Sequence, residues 1–177
     1  MNTRKITMMA LMLAILIVCS QLAIPIGLLP ITLQTFAVLM IGLVLPPRYA
    51  SMTILVYLVI GLVGLPVFSG GSGGLGSFLS PSFGFALAFV PTTYLLSSYI
   101  RKFNSEKLTT LILGIGLSTV LLYTIGLLYM FFIFTNVLVI ETGFTHVLQI
   151  GMLPFIPGDI LKSVLAIFIY RRLKPIL

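Results

Sequence analysis

The sequence predicts an all-α integral membrane protein with six transmembrane helices and both termini in the cytoplasm. Three observations predict it. The 177 residues are 59% apolar and only 7% charged, whereas a soluble domain carries roughly 25% charged residues. Six apolar stretches, some tilted or short, approach the ~20 residues needed to cross about 30 Å of hydrocarbon. The basic residues also fall in alternate connections between those stretches, the pattern that marks cytoplasmic loops. One compact unit over residues 1–177 is enough for this length.

The first stretch, about 5–25, follows Arg4 and Lys5. Its apolar run, from Ile6 to about Ile24, exceeds a signal-peptide core, and no small-x-small cleavage site follows it. It is therefore expected to remain as the first helix. The second, about 31–46, is short and opens with Thr32, Gln34 and Thr35, so its start is expected inside protein rather than in lipid. The third to sixth cover about 50–67, 82–100, 108–133 and 153–171. Arg48 lies between the second and third, and Arg101, Lys102 and Lys107 lie between the fourth and fifth. Arg171, Arg172 and Lys174 follow the sixth. The connections 26–30, 68–81 and 134–152 contain no Lys or Arg. Nine of the ten basic residues thus share one face; the tenth is Lys162.

The net charge of +7 comes from small basic groups between apolar runs, which suits membrane orientation and not nucleic-acid binding. Cys19 is the only cysteine and His146 the only histidine, so neither an internal disulfide nor a metal cluster is expected.

The connections opposite the basic face differ in character. Residues 68–81 read Phe-Ser-Gly-Gly-Ser-Gly-Gly-Leu-Gly-Ser-Phe-Leu-Ser-Pro. Their glycines permit positive φ and close approach to a ligand. Phe68, Leu75, Phe78 and Leu79 are too apolar for a solvated linker, so a lid or pocket wall is expected, with Gly70, Gly71, Ser72, Gly73 and Gly74 at its centre. It is not a nucleotide-binding loop, because the Lys-Ser/Thr ending is missing. Residues 136–150 carry apolar side chains at helical spacing and are expected to lie in the interface or to form an ordinary surface connection.

Asp159 and Lys162 stand inside the last apolar stretch. A charge at the membrane centre costs roughly 2.5–3.5 kcal/mol on insertion scales and marks function by default. Three residues apart, the two share a helix face. Lys162 is about 14 Å from Arg171 along a helix and leans toward the helix N-terminus, hence toward the glycine-rich loop. Pro157-Gly158 is expected to break or start the helix there. Gln34 and Tyr57 add neutral hydrogen-bonding groups. One cation, one anion and a few amides suit a small solute with an acid group and neutral N–H donors.

Three blocks then stand out together: Thr32-Leu33-Gln34-Thr35-Phe36-Ala37-Val38-Leu39, the run Gly61 to Gly76, and Pro157-Gly158-Asp159-Ile160-Leu161-Lys162. They resemble the BioY family, the biotin-binding substrate-specificity subunits (S components) of energy-coupling factor (ECF) transporters. The resemblance spans nearly the whole chain and is weakest from about 101 to 150. It implies six helices, cytoplasmic termini and an outward-facing biotin pocket in a bacterial or archaeal cytoplasmic membrane. It also implies that Asp159 and Lys162 contact biotin while the 70–76 loop closes over it. From their charges, Lys162 is expected toward an anionic oxygen and Asp159 toward an N–H. Ala10 and Ala14, small and four apart, fit the family's docking face for a transmembrane coupling (T) protein. Two ABC-type ATPases would supply the energy from ATP. No cofactor is expected on this chain. Two departures from the family pattern concern the pocket rim: Ser80-Pro81-Ser82-Phe83-Gly84-Phe85 where Gly-Pro-Thr-Gly-Gly-Tyr is frequent, and Ile26-Gly27-Leu28-Leu29-Pro30 before the Gln block.

Other readings fit less well. An S component for another vitamin is the nearest. A membrane-embedded hydrolase using Asp159 lacks a second acid, metal ligands or a Ser–His partner. A non-binding scaffold would keep the two charges as a self-neutralising structural pair with no ligand.

Overall fold

The computed structural model describes residues 3–26, 29–103, 107–141 and 143–174. The chain order is α1 (Thr3–Gln21), β1 (Ala23–Ile26), β2 (Leu29–Thr32), α2 (Gln34–Val44), α3 (Pro47–Leu62), α4 (Phe83–Lys102), α5 (Leu108–Asn136), α6 (Phe144–Gly151) and α7 (Ile156–Leu173). Two short 3₁₀ turns, Ser69–Gly71 and Leu75–Leu79, lie in the connection between α3 and α4.

The mostly helical architecture agrees with expectation, with one correction. Residues 23–32 are not helical. They form an antiparallel hairpin in which Ala23 faces Thr32, Ile24 faces Ile31, Pro25 faces Pro30 and Ile26 faces Leu29. The cause is proline. Pro25 would set its ring against the carbonyl of Gln21 in a continued helix, and the residue before a proline is pushed toward extended geometry. Helix α1 therefore ends at Gln21 and not near 25. Among the described residues each strand has one neighbour, so a proline can face the free edge without breaking a ladder. Gly27 and Leu28, part of the altered segment before the Gln block, lie outside the described residues.

Among the described residues, α1, α4 and α5 are long and apolar enough to cross a membrane, and the pair α6–α7, bent by 49°, qualifies as one broken span. Helices α2 and α3 are apolar but shorter. With 11 residues, α2 reaches only about 16 Å. It packs against α1, α4 and α7, and every residue from Ala37 to Leu43 is buried, so protein rather than lipid surrounds it. Large apolar side chains such as Leu11, Val59, Val120 and Leu161 are exposed on the outer helices, as a lipid-facing surface requires.

Close helix packing comes from small residues. At Gly84 of α4 an added Cβ would strike the Tyr129 ring of α5, and at Gly126 of α5 it would strike Phe85 of α4. Without a hydrophobic drive between helices in lipid, such close approach supplies the packing energy.

Basic residues of α1, α4 and α7 gather at one end of the bundle. Lys5 Nζ sits 5.3 Å from the centre of the Tyr49 ring at the start of α3. Arg101 donates to the Val44 carbonyl at 3.1 Å and to Ser97 Oγ at 2.6 Å, while Ser97 donates to the Leu45 carbonyl at 2.5 Å. A cation is thereby placed at the negative end of α2, where it is favourable. Tyr170, next to Arg171, packs with Leu43, Ile100 and Leu111. The hairpin and the 69–80 connection join the opposite ends of these helices.

Candidate functional site

A break at residues 152–155 separates α6 from α7. Pro157 sits in the first turn of α7, where its missing N–H costs nothing. Asp159 follows in the same turn, and a carboxylate there is favoured by the positive helix end. One turn on, Lys162 Nζ lies 2.9 Å from Asp159 Oδ1, with side-chain exposures of 8% for Lys162 and 13% for Asp159. Thr35, in the first turn of α2, completes a triangle. It accepts from Lys162 at 3.0 Å and donates to Asp159 Oδ1 at 3.0 Å. Tyr123 of α5 donates to the other carboxylate oxygen at 2.5 Å. A buried ion pair holds its own against the loss of hydration only when its remaining hydrogen-bonding capacity is met, and Thr35 and Tyr123 help meet it.

A second group builds the adjacent wall. Gln34 donates from Nε2 to the Tyr57 hydroxyl at 2.7 Å, and Tyr57 donates to the Val67 carbonyl at 3.0 Å. Thr32 donates to Gln34 Oε1 at 3.0 Å. Gln34 lines the cavity; Tyr57 does not. Tyr57 is fully buried and stands behind Gln34, fixing its amide and tying the start of the 68–81 connection to α3. Phe68 is wedged against Gly61, where an added Cβ would collide with its ring. It meets Tyr57 and Phe83 edge to face at 5.4 and 5.7 Å.

The glycine-rich connection divides its labour. Gly70, Gly71 and Gly74 have φ of 67°, 75° and 89°, a region costly for residues with a Cβ, and they make the bends without lining the cavity. Ser72 and Gly73 line it, as do Phe68 and Ser69. The segment is tied down: Gly74 N–H donates to the Gly61 carbonyl at 2.7 Å, Ser20 to the Val67 carbonyl at 2.5 Å and Gln21 to the Pro66 carbonyl at 3.1 Å. Phe78 lies outside the lining. Its ring packs on Phe83 at 4.8 Å, and its carbonyl accepts from Tyr129 at 2.5 Å.

These walls enclose a cavity of about 350 Å³, within the roughly 300–1,000 Å³ of small-molecule sites. Asp159, Lys162, Thr35, Gln34 and Tyr123 supply polar groups, and Phe68, Phe83, Phe85 and Phe89 an aromatic wall. Thr35, Tyr123, Phe83 and Phe85 were not singled out from sequence as binding residues. Thr35 had a signal, since it follows Gln34 in a polar helix start. Tyr123 had none within a 29-residue apolar helix. Ala10 and Ala14 are exposed on α1 and take no part in the cavity. His146 is exposed on α6, where Val147 packs inward; the expected helix in 136–150 begins only at Phe144.

Comparison with known proteins adds an independent finding. The family model described as the BioY family matches residues 1–177. The probable biotin transporter BioY of Pyrococcus horikoshii is 34% identical over 174 residues, covering 98% of this chain and 98% of that protein. Biotin transporter BioY2 of Lactococcus lactis subsp. cremoris is 38% identical over 166 residues, covering 93% of this chain and 87% of that protein. Among solved structures, the S-component for biotin from an ECF-type ABC transporter superposes with a TM-score of 0.85 at 31% identity, covering 99% of this chain and 95% of that one.

Proposed function

The chain belongs to the BioY family, and on that premise we propose that it is the S subunit of an ECF-type vitamin transporter and binds biotin for uptake. The observation that carries this reading is the Asp159–Lys162 pair, which lines a cavity within a largely apolar bundle. Asp159 accepts from a ligand N–H and Lys162 donates to a ligand oxygen. Gln34, Phe68, Ser72 and Gly73 form walls around the ligand, while Tyr57, Gly70, Gly71, Gly74 and Phe78 shape those walls from behind. This is a transporter subunit and not an enzyme.

The cavity opens away from the basic end of the bundle. If that basic end is cytoplasmic, the ligand enters from outside, the termini are cytoplasmic and the helices make six crossings, with α6 and α7 forming the last. The membrane is then the cytoplasmic membrane of a bacterium or archaeon. Ala10 and Ala14 offer a small, exposed strip on α1 for a T protein, which with two ABC-type ATPases forms the energised complex. Calorimetry of purified protein, with mass spectrometry of co-purified ligand, tests the reading. Saturable biotin binding at one site is expected; no heat with biotin and a different vitamin in the preparation would overturn it.

A further inference from the structure

Behind the ion pair lies a second, much smaller cavity. It measures about 10 Å³, the size at which a void begins to admit one water molecule. Its polar wall comes from four helices: Thr35 of α2, Thr92 of α4, Thr119 of α5, and Asp159 and Ser163 of α7. Thr35 and Asp159 also line the large cavity, so they form the partition between the two. Thr92 is 1% exposed, and its hydroxyl has no hydrogen-bond partner among the described residues. A helical threonine can bond back to the carbonyl one turn earlier, as Thr53 does to Tyr49 and Thr124 to Val120, each at 2.8 Å. Thr92 does not. It directly follows Pro91, which interrupts α4 and disturbs the preceding turn. A buried hydroxyl in this condition costs free energy until a partner arrives.

Size and charge select the occupant. A void this small excludes any organic solute. A metal cation is disfavoured, because Lys162 Nζ already stands 2.9 Å from Asp159 Oδ1 and a second positive charge would meet that ammonium in a poorly screened site. An anion would meet the carboxylate. A neutral molecule that both donates and accepts suits a ring of hydroxyls beside a carboxylate, and a buried water makes about two to four such bonds. We propose that the small cavity is a hydration site: one water molecule, hydrogen-bonded to Thr92, Thr119 and Ser163, braces Thr35 and Asp159 from the side away from the large cavity. Thr92 does not line the large cavity, so it is a positioning residue, acting on the ion pair through the water. Its effect on biotin rests on the functional reading above; the water does not.

The test takes two readouts on the purified full chain. A high-resolution crystal structure of the wild type is expected to show ordered density within hydrogen-bonding distance of Thr92 Oγ1. Thr92→Val, nearly the same shape without the hydroxyl, should lose it. In calorimetry Thr92→Val should weaken biotin by about two- to tenfold, the size of one net hydrogen bond. Thr92→Ser, which keeps the hydroxyl, should bind as wild type does. Ser118→Ala removes a hydroxyl that is also buried without a partner among the described residues but does not line the small cavity; it should leave biotin binding unchanged. Should Thr92→Val not fold, Thr119→Val is expected to give the same loss. No density beside Thr92, equal affinity of Thr92→Val and wild type, or an equal loss in Thr92→Ser or Ser118→Ala would each overturn the proposal. So would a biotin affinity that rises when sodium chloride replaces choline chloride, which would make the occupant a cation. Failure of wild type to bind biotin would defeat the biotin reading and the positioning role, while density at Thr92 alone would still decide the water.

Discussion

Removing one member of the ion pair on α7 and then both distinguishes a pair that binds ligand from one that only stabilises the helix bundle. At 2.9 Å the Coulomb attraction is about 6 kcal/mol for an effective dielectric of 20. Most of it offsets the several kcal/mol needed to dehydrate each ion. Lys162→Met leaves Asp159 with the Thr35 and Tyr123 hydroxyls, both donors. Breaking a fully buried pair costs about 3–5 kcal/mol; with two donors retained and a cavity wall open to water, about 2 kcal/mol is expected here. For a chain of this size that is roughly 4–8 °C in melting temperature. Asp159→Asn should cost more, because the ammonium then keeps only neutral oxygens. The double variant Asp159→Asn/Lys162→Met should recover most of the lost stability, since neither charge is left alone. Biotin binding should behave differently. Each single variant should lose about 1.5–3 kcal/mol, a factor of roughly ten to a hundred, and the double variant should recover none of it. Thermal melts and calorimetry on the same preparations read both quantities. A double variant that binds biotin as wild type does would show that the pair is structural and that the ligand sits elsewhere.

Four further outcomes follow from the same geometry. Tyr123→Phe removes the donor at 2.5 Å from Asp159 Oδ2 and should weaken biotin by about 1–2 kcal/mol with a smaller loss of melting temperature; unchanged titration curves would remove Tyr123 from the site. Gly61→Val forces the Phe68 ring out of its seat and should cost at least about 1–3 kcal/mol of stability through overpacking, whereas Gly116→Val, in open space on α5, should cost less than about 1 kcal/mol in the same melts. Bulky residues at Ala10 and Ala14 should spare biotin binding by the isolated subunit but abolish energised uptake in cells; uptake at the wild-type rate would free α1 from the docking role. For topology, a cysteine at Ser77 should react with an impermeant thiol reagent in intact cells, and one at Arg172 only after permeabilisation, in a background lacking Cys19. The reverse pattern would invert the chain in the membrane.

Much of this was legible in the residues because it depends on short-range order. A length of apolar chain, the alternation of Arg48 and Arg101 with connections that lack Lys and Arg, and the three-residue spacing of Asp159 and Lys162 act within one helix or one loop. The glycines of 70–76 were legible as a loop near the site, but not in their separate duties: φ at Gly70, Gly71 and Gly74 depends on how the chain turns, and the lining by Ser72 and Gly73 depends on what lies opposite. Tyr57 had the right chemistry but stands one layer behind Gln34. The hairpin at 23–32 was missed because an apolar run conceals the effect of Pro25 on the preceding turn.

By itself, the sequence determined a lipid-adapted helical chain, a basic face and two opposite charges one turn apart, since each is written in hydropathy or in spacing along a single element. Only the tertiary structure decided what those charges touch. Thr35 and Tyr123 meet Asp159 from 124 and 36 residues away, and the serines reach the cavity from a loop that α1 and α3 hold in place. Such contacts arise from how helices pack, and packing is settled by many weak, mutually dependent choices that no local pattern records.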